Sequence, residues 1–277
     1  IDANVWFHCC RCVTNALKAN TMFDFILKGF RKLFGGEPLP ARLSPEHQDF
    51  LNDRVTFYRQ LNESDKAHFE SCCISFVYAT NFEGHETEVN DHDKLLVASG
   101  SVILAWGFPQ WHYVKVKTVI LAANVIGHIE DGAVTGLVGT HDLAGKMILS
   151  KPALHAGFSN DVDKQNVAIH EFAHLIDMAD GEVDGLPEYL CKKAFALPWL
   201  QLIKTKTAEI EQNTSNIRDY AATNSAEFFA VTSEYFFERP KILKDKHPLL
   251  YDALQTFYKQ DRAAVKADVR VSKKAPC

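Results

Sequence analysis

Residues 166–177 read Asn166-Val167-Ala168-Ile169-His170-Glu171-Phe172-Ala173-His174-Leu175-Ile176-Asp177. Two patterns run through this stretch together. At about 100° per residue a helix places His170 and His174 one turn apart and only about 40° apart around the axis, so both imidazoles can reach one ion. Ala168, Phe172, Leu175, Ile176 and Ala179 follow helical spacing on another face, which anchors the same helix in a core. Asp161 or Asp163 is expected to cap it, and Gly181 to end it after about Ala179.

His170-Glu171-Phe172-Ala173-His174 is an H-E-x-x-H pattern, the spacing at which two histidines on one face bind zinc and the intervening glutamate serves as general base. Glu171 follows the first histidine and projects toward the same polar side, where it can take a proton from a water acidified by Zn²⁺ and pass it to a leaving amine. A third ligand must come from elsewhere. Asp180 stands ten residues after His170, but the glycine that such an extended motif needs between them is replaced by Asp177. Asp177, one turn beyond His174, suits a hydrogen bond to a ligand or a nearby backbone better than the ion itself. A downstream helix from about Thr223-Asn224 to Arg239-Pro240 offers Glu227 in its first turn and Glu234 seven residues later on the same face. Phe228, Val231 and Tyr235 form its buried stripe, so a glutamate there sits among aromatics and needs a cation or donors. Glu227 is favoured and Glu234 is the alternative.

Working outward, Gly35-Gly36-Glu37-Pro38-Leu39-Pro40 breaks the chain, and Ser44-Pro45 opens a helix to about Gln60. A second helix, Ser64 to Tyr78, completes a hairpin with Phe69, Cys72 and Phe76 on its buried side. A short strand beyond Gly84, a helix from Asp91 to Ala105 and a β-branched strand at Val114–Ala122 follow. Gly132, Gly136, Gly139 and Gly145 punctuate a loop-rich section before a strand at Lys146–Ser150. The pattern is α/β, with residues 41–265 as one domain, residues 1–40 an N-terminal segment and residues 266–277 a tail.

Composition narrows the function classes. A net charge of -5 gives no basic field to draw the chain to nucleic acid or an anionic membrane, and no apolar run reaches the ~18 residues of a spanning helix. The seven cysteines do not supply the two C-x-x-C pairs of a zinc ribbon, Cys9, Cys10 and Cys12 reading as an incidental cluster, and are expected to be reduced thiols of a cytoplasmic protein. Nothing in the first forty residues has the make-up of a signal peptide. Met22 reads as a natural start followed by an amphipathic stretch to Phe34, with residues 1–21 upstream of it. The other histidines, scattered singly, and Trp106, Trp111 and Trp199 read as surface or core residues.

Three blocks carry a resemblance: Asn166–Asp177, Asp184-Gly185-Leu186-Pro187, and Tyr220-Ala221-Ala222-Thr223-Asn224-Ser225-Ala226-Glu227 running on to Phe237. They resemble the Mlc titration factor A family of zinc peptidases, over about residues 40–262, including Leu51–Phe57, Gly132–Ser150 and Phe257–Asp261. The resemblance implies His170, His174 and Glu227 as zinc ligands, Glu171 as base, and Tyr220 on a motif position where its phenol could serve the oxyanion. It implies an α+β zincin-like domain, similar to the anthrax lethal factor catalytic domain. Such a domain has a small mixed sheet, added N-terminal helices, and an edge strand along the cleft that residues 146–150 would supply. It also implies aminopeptidase-type cleavage of a peptide or protein substrate. The alternative it offers is a regulator-binding protein that sequesters a glucose-responsive transcriptional repressor, with zinc structural or catalysis secondary.

Overall fold

The computed structural model describes residues 40–108, 116–129, 132–138, 145–160, 163–187 and 193–264. The stretch 22–34, Trp111, Gly139 and Asp161 lie outside the described residues.

The N-terminal hairpin is built from α1 (Pro45–Arg54), α2 (Thr56–Arg59) and α3 (Glu63–Ala79). The single helix expected to reach Gln60 is interrupted at Val55, which is extended (φ -109°, ψ 96°) and fully buried. Burying that valine in the core favours the break over a continuous rod. Ser44 and Asn62 cap α1 and α3 through His47 N and Asp65 N.

Helix α4 (Asp91–Ala105) is the spine of the core, with Leu95 through Leu104 buried. A run apolar on every side can persist as a helix only where it is surrounded, and α4 is wrapped by α1, α3, α5 (Lys151–Ser159) and the motif helix α6 (Val167–Asp177). Gly100 allows the closest of these approaches. A Cβ there would stand 2.7 Å from Ala168 Cβ and 3.3 Å from the Phe172 ring.

Against these helices lies a four-stranded sheet in the order β1 (Asn81–His85), β2 (Thr118–Ala122), β6 (Lys146–Ser150), β5 (Gly136–Val138). The first three strands are parallel, and β5 runs antiparallel to β6 with Gly136 opposite Leu149. A two-stranded ribbon, β3 (Gly127–Ile129) with β4 (Gly132–Val134), precedes β5. Strand β1 starts before Gly84 rather than after it, because Asn81–His85 pairs in register with Thr118–Ala122.

The expectation that residues 146–150 form the edge strand is overturned. Strand β6 is paired on both sides, by β2 and by β5, so its backbone groups are already used. Among the described residues the edge on that side is Gly136–Val138. The α+β architecture with a small mixed sheet and N-terminal helices stands as read.

Candidate metal centre

Helix α6 begins at Asn166, not at Asp161 or Asp163. The Asn166 side chain accepts from Ile169 N at 3.2 Å, whereas Asp163 accepts from Gln165 N at 3.1 Å, outside the helix. An asparagine N-cap contributes about 1 kcal/mol. The helix ends at Asp177, followed by one 3₁₀ turn, Met178–Asp180, and Gly181 at φ +112°. Asp177 is fully buried and accepts from Gly185 N at 2.9 Å, a backbone tie of the kind its spacing suggested. Burial pushes its carboxyl up to about 6. Asp180 is not among the residues that converge with the histidines.

Helix α8 (Ser225–Glu238), which follows α7 (Lys193–Glu211), packs against α6. Asn224 caps it by accepting from Glu227 N at 2.9 Å, which fixes Glu227 in the first turn facing the motif histidines. Gly185, at φ +75°, lets the loop after α6 lie on the start of α8, where a side chain would overlap the Ser225 carbonyl. That loop is held by Asp177 on one side and by Trp199 Nε1, 2.7 Å from Gly185 O, on the other.

His170 Nε2 and His174 Nε2 face one another at 3.1 Å, and Glu227 Oε2 lies 3.1 Å and 3.5 Å from them. Four-coordinate zinc with ligand bonds of 2.0–2.2 Å sets its ligand atoms about 3.3 Å apart, so these three spacings match a tetrahedral cage. Glu227 Oε2 is buried, and its contacts with the imidazoles have ion-pair distance without hydrogen-bond geometry, leaving no hydrogen-bond partner among the described residues. A buried carboxylate oxygen without a donor is costly. Two imidazole nitrogens and a carboxylate oxygen form a donor set suited to a divalent metal. His170, His174 and Glu227 are also the group of metal-capable side chains brought together among the described residues.

The electrostatics follow from these contacts. Burial opposes the charged form of Glu227, but the two imidazoles prevail and hold it well below the usual carboxylate range. Burial likewise works against the His170 cation, and Glu227 and Glu234 override it, so an ion bound at Nε2 would displace a proton from that nitrogen. Glu171 is buried on α6, and burial pushes its carboxyl above the ordinary range against the pull of the two histidines. Beside it stands Gly136 of the edge strand. A Cβ there would overlap Glu171 Oε1 and approach Val167 Cγ2 to 2.6 Å, so the bare glycine is what lets β5 lie against this carboxylate.

Tyr220 sits on a 3₁₀ turn, Asp219–Ala222, with its ring 6.1 Å from that of His170. Burial and the charges of Glu227 and Glu171 push its phenol up to about 12, so it carries its proton at neutral pH. Glu234 also reaches the centre, behind it: Oε1 lies 2.8 Å from His170 Nδ1, and Oε2 accepts from Asn166 N at 2.6 Å. The two candidate glutamates therefore take opposite nitrogens of one imidazole. Glu227 faces the nitrogen aimed at His174, and Glu234 the one turned away. Sequence reasoning missed Arg218, which pairs with Glu234, and Gly136. No spacing pointed to Arg218; Leu137-Val138 between Gly136 and Gly139 was a readable trace of the edge strand.

The model of the glucose-regulated metallo-peptidase family M90 matches residues 38–259. An uncharacterized protein of Synechocystis is 30% identical over 240 residues, 80% of this chain and 84% of its own. Proteins named Mlc titration factor A match over shorter spans. That of Yersinia enterocolitica is 32% identical over 43% of this chain and 46% of its own, and that of Edwardsiella ictaluri 34% over 37% and 42%. The family is one of metallopeptidases, which implies a metal ion, and the His170–His174–Glu227 cluster fits one on its spacing and its donor atoms. Among the described residues no helix is long and apolar enough to cross a membrane.

Proposed function

The chain belongs to the glucose-regulated metallo-peptidase family M90, and from that premise we propose that it is a zinc-dependent peptidase acting on short peptides or exposed chain ends, in the manner of an aminopeptidase. The observation that carries the reading is the convergence of His170 Nε2, His174 Nε2 and Glu227 Oε2 with the buried Glu171 one residue from the first histidine.

His170, His174 and Glu227 would hold the ion. Bound zinc supplies Lewis-acid polarisation of the scissile carbonyl and lowers the pKa of an attacking water. Glu171 takes the proton of that water as it attacks and delivers it to the departing amine nitrogen. Its raised affinity for a proton, set by burial, suits both halves of that task. Tyr220, protonated at neutral pH, donates a hydrogen bond to the oxygen on which negative charge develops. Strand β5, outermost on that side among the described residues, offers a backbone edge to which an extended peptide adds as a further strand, and Gly136 keeps that edge close to Glu171.

The name shared by several relatives favours a second reading, in which the chain binds and sequesters a transcriptional regulator. One experiment separates the two. Purified protein is assayed for stoichiometric zinc and then for digestion of a peptide library, with Glu171→Gln beside the wild type. The peptidase reading expects cleavage from peptide ends that falls by about 10²–10⁴ in the variant while zinc remains bound. Equal activity of variant and wild type, or no zinc-dependent cleavage at all, would overturn it, and cuts confined to internal bonds would remove its aminopeptidase part.

A further inference from the structure

Glu234 is 2% exposed, and a carboxylate so placed must be matched by donors and by positive charge. It receives three donors from two segments of the chain: Asn166 N at the start of α6 and His170 Nδ1 within it, and the Arg218 guanidinium from the chain before the 3₁₀ turn. His170 and Arg218 share one oxygen, Oε1, while Asn166 holds the other. The joint is thus a single atom common to a proposed metal ligand and to the turn that carries Tyr220. Arg218 is the N-cap residue of that turn, its carbonyl accepting from Ala221 N at 3.0 Å, and Tyr220 stands two residues on.

We propose that Glu234 and Arg218 form one positioning clamp shared by both halves of the site: Glu234 orients His170 for the ion, and by gripping Arg218 it fixes the turn that brings Tyr220 to the same centre. This rests on the metal-centre reading above. A carboxylate at Nδ1 keeps the proton on that nitrogen and leaves the Nε2 lone pair facing His174 and Glu227, as an outer partner of a metal-bound histidine does. Arg218 adds a permanently charged donor on the same Oε1 that His170 uses. Neither residue touches the reacting atoms.

The test uses zinc alone as the ligand, in competition with a chromophoric chelator, on the 277-residue chain as wild type, Glu234→Gln, Glu234→Asp and Arg218→Met. The same proteins labelled with 3-fluorotyrosine give a ¹⁹F spectrum in which the Tyr220 resonance, one of eight tyrosines, is assigned by its loss in Tyr220→Phe. Glu234→Gln is expected to weaken zinc binding about 10–100-fold and to shift the Tyr220 resonance, with Glu234→Asp between it and wild type. Arg218→Met should shift the Tyr220 resonance while binding zinc more tightly than Glu234→Gln does. Wild-type zinc affinity in Glu234→Gln, or an unmoved Tyr220 resonance in Arg218→Met, overturns the clamp. If Glu234→Gln does not fold, Glu234→Asp and Arg218→Met give the same two readings. A wild type that takes up no zinc defeats the metal-centre reading instead, and the clamp is then decided by the Tyr220 resonance of the metal-free variants.

Discussion

Glu70 on α3 and Glu227 on α8 are both drawn into the protein, yet their oxygens have opposite fates. Both oxygens of Glu70 are filled by this chain: Arg42 Nη2 at 3.0 Å and Tyr58 OH at 2.7 Å on Oε1, and Arg42 Nε at 2.8 Å, Leu43 N at 3.1 Å and Gln48 Nε2 at 3.1 Å on Oε2. Glu227 has one oxygen with no hydrogen-bond partner, aimed at two imidazoles. A saturated carboxylate is a finished structural joint, whereas one that keeps acceptor capacity among histidines has a donor atom suited to a metal ion.

Crossed substitutions sharpen that contrast, and the largest effect belongs to Glu227. Glu227→Ala should lower zinc affinity by more than the ~10–100-fold expected for an outer partner such as Glu234, read by chelator competition. Retention of full zinc affinity would break the comparison.

Glu70→Ala should do the reverse. Zinc affinity should stay at the wild-type value, while the buried Tyr58 hydroxyl and Leu43 N lose their acceptor, costing about 2–3 kcal/mol in chemical denaturation. The penalty should also depend on pH. Burial pushes the Glu70 carboxyl up, but Arg42, Tyr58, Leu43 and Gln48 outweigh it and hold it below its ordinary value of 4.5. A depressed folded value means stability present above that ordinary value and lost as pH falls through it toward the folded one. The gap between wild type and Glu70→Ala should therefore be constant near neutrality and narrow below about pH 4.5. A gap that widens on acidification would reverse the assignment.

What the sequence made legible follows the range of the interactions. The helix around His170 and the helix carrying Glu227 are local patterns, with caps, periodic apolar faces and a terminating glycine or proline. They appear within a few residues of where the pattern sets them. The sheet was legible as strands but not as an order. Whether Lys146–Ser150 is an edge depends on a strand ten residues earlier folding back beside it, a pairing that the periodicity within either strand does not encode. Glu234 was legible as a carboxylate on the right face, but which nitrogen of His170 it takes depends on how α6 and α8 cross. Arg218 left no trace, because a lone arginine in a loop looks the same whether it meets water or a buried glutamate.

Tyr58→Phe gives the finest test of the Glu70 joint. The substitution removes one of five donors and keeps the ring, which is fully buried and packs 5.4 Å from that of Phe69, so no cavity opens. Glu70 keeps the Arg42 fork, Gln48 and Leu43 N, and remains an ionised and still well-satisfied acceptor. The cost should be about 1.5 kcal/mol, the usual worth of a hydrogen bond to a charged group, and smaller than that of Glu70→Ala. In the double variant, Tyr58→Phe should add little to Glu70→Ala, since the hydroxyl then has no acceptor to lose. Additive losses would mean that the hydroxyl stabilises the fold through another partner. Glu70 would then resemble Glu227 more than the contrast allows, as a carboxylate not wholly accounted for by its visible donors.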